Sequence, residues 1–140
     1  TDVLYTKKPM EYTEPKTAEM LTRNGTEWAD VESNSGGRGF ARNVDKECRM
    51  MGNSTTFVNW FAQTDNKQVR IFTKSADVNN MTFFPVGWER KWPEFYQAIT
   101  KFRKEGGNSH DDAPDCLTGC FEKRKVRVKR HVTKAELGIF

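Results

Sequence analysis

The sequence predicts an α/β fold. Three observations carry that expectation. Apolar segments of strand length alternate with segments of helical period, turn signals of Asn, Gly and Pro separate them, and no repeat or low-complexity tract interrupts the order. The 140 residues suffice for one domain with a real core, and 123–140 reads as a basic tail on it.

In chain order, DVLYT (2–6) alternates apolar and polar residues before a Lys-Lys-Pro turn and reads as a strand. A helix follows in YTEPKTAEMLTRNG: Thr13 suits an N-cap, Pro15 suits a first turn, and Asn24-Gly25 is a stop. TEWADVES (26–33) reads as a short strand and SNSGGRG (33–39) as a turn. FARNVDKECRMMG places Phe40, Val44 and Cys48 on one helical face. FVNWFA (57–62) has the composition of a buried strand, NKQVRIFTKSADVNN that of a helical or irregular segment, and MTFFP (81–85) that of an edge strand. After Pro93, Phe95, Ala98, Ile99 and Phe102 recur at helical spacing until Gly106-Gly107. A last helix begins near SHDDAPDCLTGCFEK. In the tail, Val126, Val128 and Val132 alternate with Lys125, Arg127, Lys129 and His131, as on a two-faced strand.

Composition excludes several classes. Hydrophobic residues are 36% and charged residues 30%, and no apolar run approaches the roughly 18 residues of a spanning helix. No apolar leader opens the chain, so nothing points to secretion. Four Trp and ten Phe supply enough bulk for burial to argue against disorder. Three Cys match no disulfide framework and read as reduced thiols of a cytosolic protein. Cys116 and Cys120 stand too far apart for a CxxC pair.

The chemistry concentrates in His110-Asp111-Asp112-Ala113-Pro114-Asp115. Pro114 is tolerated near a helix start, so the acidic residues fall in the first turn, where Asp112 and Asp115 share a face. Ala113, Cys116, Leu117, Cys120 and Phe121 then form a stripe able to face the core. Adjacent carboxylates repel unless something positive lies between them, and a divalent metal with oxygen ligands is a natural candidate. Complementation of the helix dipole, with Ser109 as cap, is the alternative. A metal would need a carboxylate from elsewhere. Glu32 ends a predicted strand before a Gly-rich turn, where ligands gather in α/β sheets, although a solvent-facing glutamate fits the same pattern.

Glu32-Ser33-Asn34-Ser35-Gly36-Gly37-Arg38-Gly39-Phe40-Ala41-Arg42, followed by Gly107-Asn108-Ser109-His110-Asp111-Asp112-Ala113-Pro114-Asp115, resembles the nuclease domain of tailed-phage large terminase subunits. DVLYTKKPMEYTEP and FFP…W…FYQAITKFRKEGG resemble it in the same order, and the likeness covers residues 2 to about 121. The resemblance implies a ribonuclease H-like mixed central sheet flanked by helices. It implies a metal-dependent endonuclease that cuts double-stranded DNA with two Mg²⁺ or Mn²⁺ ions. By resemblance Glu32, Asp112 and Asp115 are the catalytic carboxylates and Asp111 is a further metal ligand. His110 could orient a carboxylate or a water, and an ordinary capping contact of a loop histidine fits it equally well. The family's first catalytic Asp lies on a hairpin that precedes this stretch, and Asp2 does not match it. The nuclease domain is therefore expected to be partial, incomplete at its N-terminus. No GxxxxGK[ST] loop occurs, so no motor activity is expected in these residues. Implied partners are double-stranded DNA, the terminase ATPase domain, the small subunit and the portal protein, with no membrane, in the cytoplasm of an infected bacterium.

The basic residues fit such a substrate. Arg38 and Arg42 lie four apart beside the Gly-rich turn, and Lys125, Arg127 and Lys129 line one face of the predicted tail strand. Both sets suit sequence-independent phosphate contact. Solvated faces are the alternative for each. Trp88 and Trp92 could stack on bases, although core burial is the commoner fate of Trp. A non-catalytic DNA-binding or docking module and a junction-resolving nuclease are the competing readings.

Overall fold

The computed structural model describes residues 2–103, 107–108 and 111–130, and for Ser35 and residues 124–130 the backbone alone. The fold is α/β. Among the described residues, six α-helices accompany a two-stranded parallel sheet, and no helix is long and apolar enough to cross a membrane. The chain divides into two compact units, Thr1–Thr64 and Asp65–Phe140.

The first unit contains α1 (Met10–Arg23), β1 (Trp28–Glu32), α2 (Gly37–Met50) and β2 (Phe57–Phe61). β1 and β2 pair in parallel, Trp28 opposite Phe57 and Glu32 opposite Phe61, with α2 as the crossover that a parallel pair requires. Ala18 and Leu21 of α1 meet Val44 and Cys48 of α2 in the core, and Ala29, Val58 and Phe40 pack against them. The four-residue spacing in α2 therefore marks its buried face. A polar knot closes the unit. The Asn53 amide donates to Thr22 Oγ1 (3.0 Å) and Thr56 Oγ1 (2.7 Å), and Thr56 Oγ1 donates to the Thr26 carbonyl (2.6 Å). Arg49 donates to the carbonyls of Asn53 and Thr56, each at 2.8 Å.

The second unit contains α3 (Lys67–Met81), α4 (Trp88–Lys91), α5 (Pro93–Thr100) and α6 (Asp112–Arg130). Asn66 Oδ1 caps α3 by accepting from the Gln68 and Val69 amides. Trp88 stacks on Phe84 at 3.9 Å and meets Phe95 and Tyr96 edge-on, so it packs within the protein. Trp92 lies under the Lys91 ammonium at 4.5 Å.

Several expectations are corrected. Residues 2–6 form no strand, because no neighbouring strand accepts their backbone bonds among the described residues. α1 begins at Met10 and not beyond Thr13. Pro9 is its N-cap, and the Thr13 hydroxyl donates back to the Pro9 carbonyl at 3.3 Å. Pro15 lies inside the helix, and its missing donor faces the exposed first turn. The stop at Asn24-Gly25 is as expected, with Gly25 at φ 58°. β2 is not fully buried: Phe57 and Trp60 are exposed. Phe57 is on the face opposite Val58, which packs on the core, whereas Trp60 shares the Val58 face but lies under the Arg38 guanidinium. Residues 82–85 are a connector and not an edge strand, because α3 runs through Met81 and Phe84 joins the aromatic cluster. α5 stops at Thr100, short of Phe102. The tail is helical through Arg130. A helix advances roughly 100° per residue, so positions two apart do not share a face and the two-faced strand is overturned. His131 and Val132 lie outside the described residues.

Candidate functional site

α6 begins where Pro114 requires. The Asp111 carbonyl accepts from the Asp115 amide at 3.1 Å, which makes Asp111 the last residue before the helix and Pro114 its third. A donor is not needed at that position. Asp111, Asp112 and Asp115 thus surround one helix start. Ser109 and His110 lie outside the described residues.

The buried face of α6 differs from the expected stripe. Ala113, Pro114, Asp115 and Thr118 are buried, whereas Cys116 and Cys120 are exposed. The inward residue that decides this register is charged. Asp115 is 7% exposed and accepts from Arg70 Nη1 at 2.8 Å, and Arg70 is itself 6% exposed. The same guanidinium donates from Nη2 (2.8 Å) and Nε (3.2 Å) to Glu122, two turns further along α6. A planar guanidinium can serve both carboxylates without reorienting.

A second cation lies at the outer side of the cluster. Lys67 Nζ donates to Asp112 Oδ1 at 2.9 Å and to Asp111 Oδ1 at 3.1 Å, and stands 4.0 Å from Asp115 Oδ2. Burial alone would lower the Lys67 ammonium. The hydrogen bonds and negative charges of Asp112 and Asp111 outweigh it and hold the group above the usual lysine range. The positive charge that adjacent carboxylates demand is therefore present as side chains. Asp111, Asp112, Asp115 and Glu122 still outnumber Lys67 and Arg70 by two negative charges. Among the described residues no group of three or more His, Cys, Asp or Glu side chains is arranged to hold a metal ion. Asp111, Asp112 and Asp115 are the carboxylates that share Lys67.

Glu32 belongs to the first unit. It ends β1, and Asn34 Nδ2 donates to Glu32 Oε1 (2.9 Å) and to the Gln63 carbonyl (3.0 Å). The turn after it needs its glycines. Gly36 has φ +98°, and a Cβ on Gly37 would lie 1.8 Å from the Glu32 carbonyl oxygen. Two residues before Glu32, Asp30 Oδ1 accepts from Trp28 Nε1 and Asn59 Nδ2, each at 2.9 Å. The Arg38 guanidinium lies over the exposed Trp60 ring at 4.1 Å, and Arg42 is exposed one turn along α2. Lys125, Arg127 and Lys129 fall in the last turns of α6.

The structure brings Asp111, Asp112 and Asp115 together and adds Lys67, Arg70 and Glu122, which the sequence reading missed. A signal for them existed. Asn66 is a helix cap, Lys67 and Arg70 lie three apart just after it, and Asp115 and Glu122 lie seven apart on one helical face. Compared with family models, curated proteins and solved structures, the chain matches none.

Proposed function

We propose that this chain is the metal-dependent endonuclease region of a phage DNA-packaging terminase large subunit, ribonuclease H-like in fold, acting on double-stranded DNA in the infected bacterial cytoplasm. The observation that carries the reading is the convergence of Asp111, Asp112 and Asp115 on a single positive charge at the head of α6. It occurs in the segment that resembles the family's acidic box. When bound, two Mg²⁺ or Mn²⁺ ions supply a nucleophilic water and charge compensation at the leaving 3′ oxygen. The chain's own residues position and hold. Arg70 aims Asp115, Asn34 steadies Glu32, and Glu32, Asp112 and Asp115 are the catalytic carboxylates, with Asp111 as a further ligand. Arg38 and Arg42 on α2 and Lys125, Arg127 and Lys129 on α6 take the phosphates of the duplex. The ATPase domain, small subunit and portal protein are partners on the same reading.

The test is cleavage of supercoiled plasmid by the chain in Mn²⁺, beside Asp112→Ala and an EDTA control. Cutting abolished in both controls supports the nuclease. Cutting that survives Asp112→Ala overturns the assignment of that residue.

One observation favours a second reading. Lys67 and Arg70 already neutralise part of the acidic cluster, as they would in a non-catalytic DNA-binding or docking module. That module would retain DNA in a salt-sensitive manner, would cut nothing, and would be indifferent to Asp112→Ala.

A further inference from the structure

We propose that the face of the first unit formed by α2 and β2 holds an unpaired strand of DNA, with its phosphates on Arg38, Arg42 and Lys46 and one base on the Trp60 ring. The inference rests on reading the chain as a DNA-binding protein, and it names the form of DNA that this face takes.

Two independent observations converge there. The first is a row of cations. Arg38, Arg42 and Lys46 stand four residues apart on α2, and all three are exposed. Each step of four turns the helix by about 40° and advances it by about 6 Å, so the three lie within an arc of about 80°. Ala41, Val44 and Cys48 take the buried side. Among the described residues none of the three cations makes an ion pair, whereas Arg49 on the same helix is held by Asp45 at 2.9 Å.

The second observation is an aromatic ring within reach of solvent. Trp60 is 47% exposed, and the Arg38 guanidinium lies over it at 4.1 Å from the ring centroid. The turn before α2 sets this contact. Gly37 lets the helix start against the Glu32 carbonyl, where a Cβ would come to 1.8 Å, and the next side chain reaches Trp60. Arg38 is exposed, so its guanidinium can lift by the thickness of one base and close over it. The base then lies between two flat groups.

The chemistry selects the ligand. A row of cations follows a chain of phosphates, which both single-stranded and duplex DNA supply. The bases of a duplex are already stacked and paired, so only an unpaired base has a π-face to offer, and every base has one. An acidic peptide would answer the cations and leave the indole unused. Single strand and duplex therefore share the α2 cations, and Trp60 tells them apart.

The experiment is fluorescence anisotropy of the 140-residue chain with a labelled oligothymidylate and with a duplex of the same length, on wild type, Trp60→Leu and Trp60→Phe. Trp60→Leu is expected to weaken single-strand binding at least about fivefold and to leave duplex binding within about twofold. Trp60→Phe, which keeps a ring, is expected to restore most of the loss. Equal single-strand affinity in wild type and Trp60→Leu overturns the proposal. An equal loss on both DNAs also overturns it, because that marks Trp60 as structural. Replacing Arg38, Arg42 and Lys46 with Gln is expected to flatten the slope of log single-strand binding constant against log salt by about 2, and an unchanged slope overturns the phosphate row. Wild type alone serves if Trp60→Leu does not fold. Photo-crosslinking to a strand carrying 5-bromouracil, read by tandem mass spectrometry, is expected to place the adduct on Trp60, and adducts confined to other residues overturn the proposal. Duplex binding without single-strand binding overturns the inference and leaves the nuclease reading standing. Trp60-dependent single-strand binding without plasmid cutting upholds the inference and removes the nuclease reading.

Discussion

Arg70 carries a full charge into the interior of the second unit, and Asp115 and Glu122 are what make that tolerable. Removing one member of a buried pair leaves the other uncompensated. Arg70→Met is therefore expected to cost about 3–5 kcal/mol, read from urea unfolding midpoints. Asp112 is the opposite case. Its side chain is 78% exposed, and Asp112→Ala is expected to shift stability by no more than about 0.5 kcal/mol. Loss of cutting in that variant would thus report chemistry and not unfolding. Lys67 adds a pH dependence. Its folded value is raised, so its contribution is complete below the unfolded lysine value of about 10.4 and is lost as pH rises through the folded value. The stability difference between wild type and Lys67→Met is expected to be flat from about pH 7 to 9 and to shrink above about pH 10.4.

At the scale of elements, the turn between β1 and α2 separates two glycines that look alike in SNSGGRG. A Cβ at Gly37 meets the Glu32 carbonyl, whereas one at Gly39 meets nothing within 4 Å. Gly37→Ala is expected to cost about 1–3 kcal/mol by overpacking and to displace Glu32. Gly39→Ala, inside α2, is expected to gain about 0.5–1 kcal/mol. Thermal unfolding of both variants checks the opposite signs. Helices were the legible elements. Val44 and Cys48, and Phe95 and Ala98, repeat at 3.6-residue spacing, and their buried faces follow from that spacing alone. Strands were less legible, since alternation in 2–6, 81–85 and the tail describes a pattern and not a partner. Among the described residues, only β1 and β2, which have each other, became strands.

For the molecule as a whole, a formal net charge of +4 matters less than where the cations fall. Arg38 and Arg42 occupy α2, while Lys125, Arg127 and Lys129 extend α6. If the latter three meet phosphates, replacing them with Gln flattens the slope of log binding constant against log salt by about 2 to 3. Filter retention of duplex DNA between low and moderate salt measures that slope. An unchanged slope would assign these residues to a solvated helix end.

Composition and periodicity determined the α/β class, the buried faces of α2 and α5, the stop at Asn24-Gly25 and the acidic first turn of α6, because each depends on residues within one or two turns of one another. Pro114 alone was enough to place Asp111, Asp112 and Asp115 at a helix start. What the tertiary structure decided was the source of the positive charge among them. Lys67 and Arg70 lie more than 40 positions upstream, and nothing local links them to those aspartates. It also decided that Asp115 points inward and Cys116 outward, because burying a carboxylate is favourable only where a guanidinium is waiting for it. Local spacing sets where a charge sits along a helix, and packing against another helix sets what that charge meets.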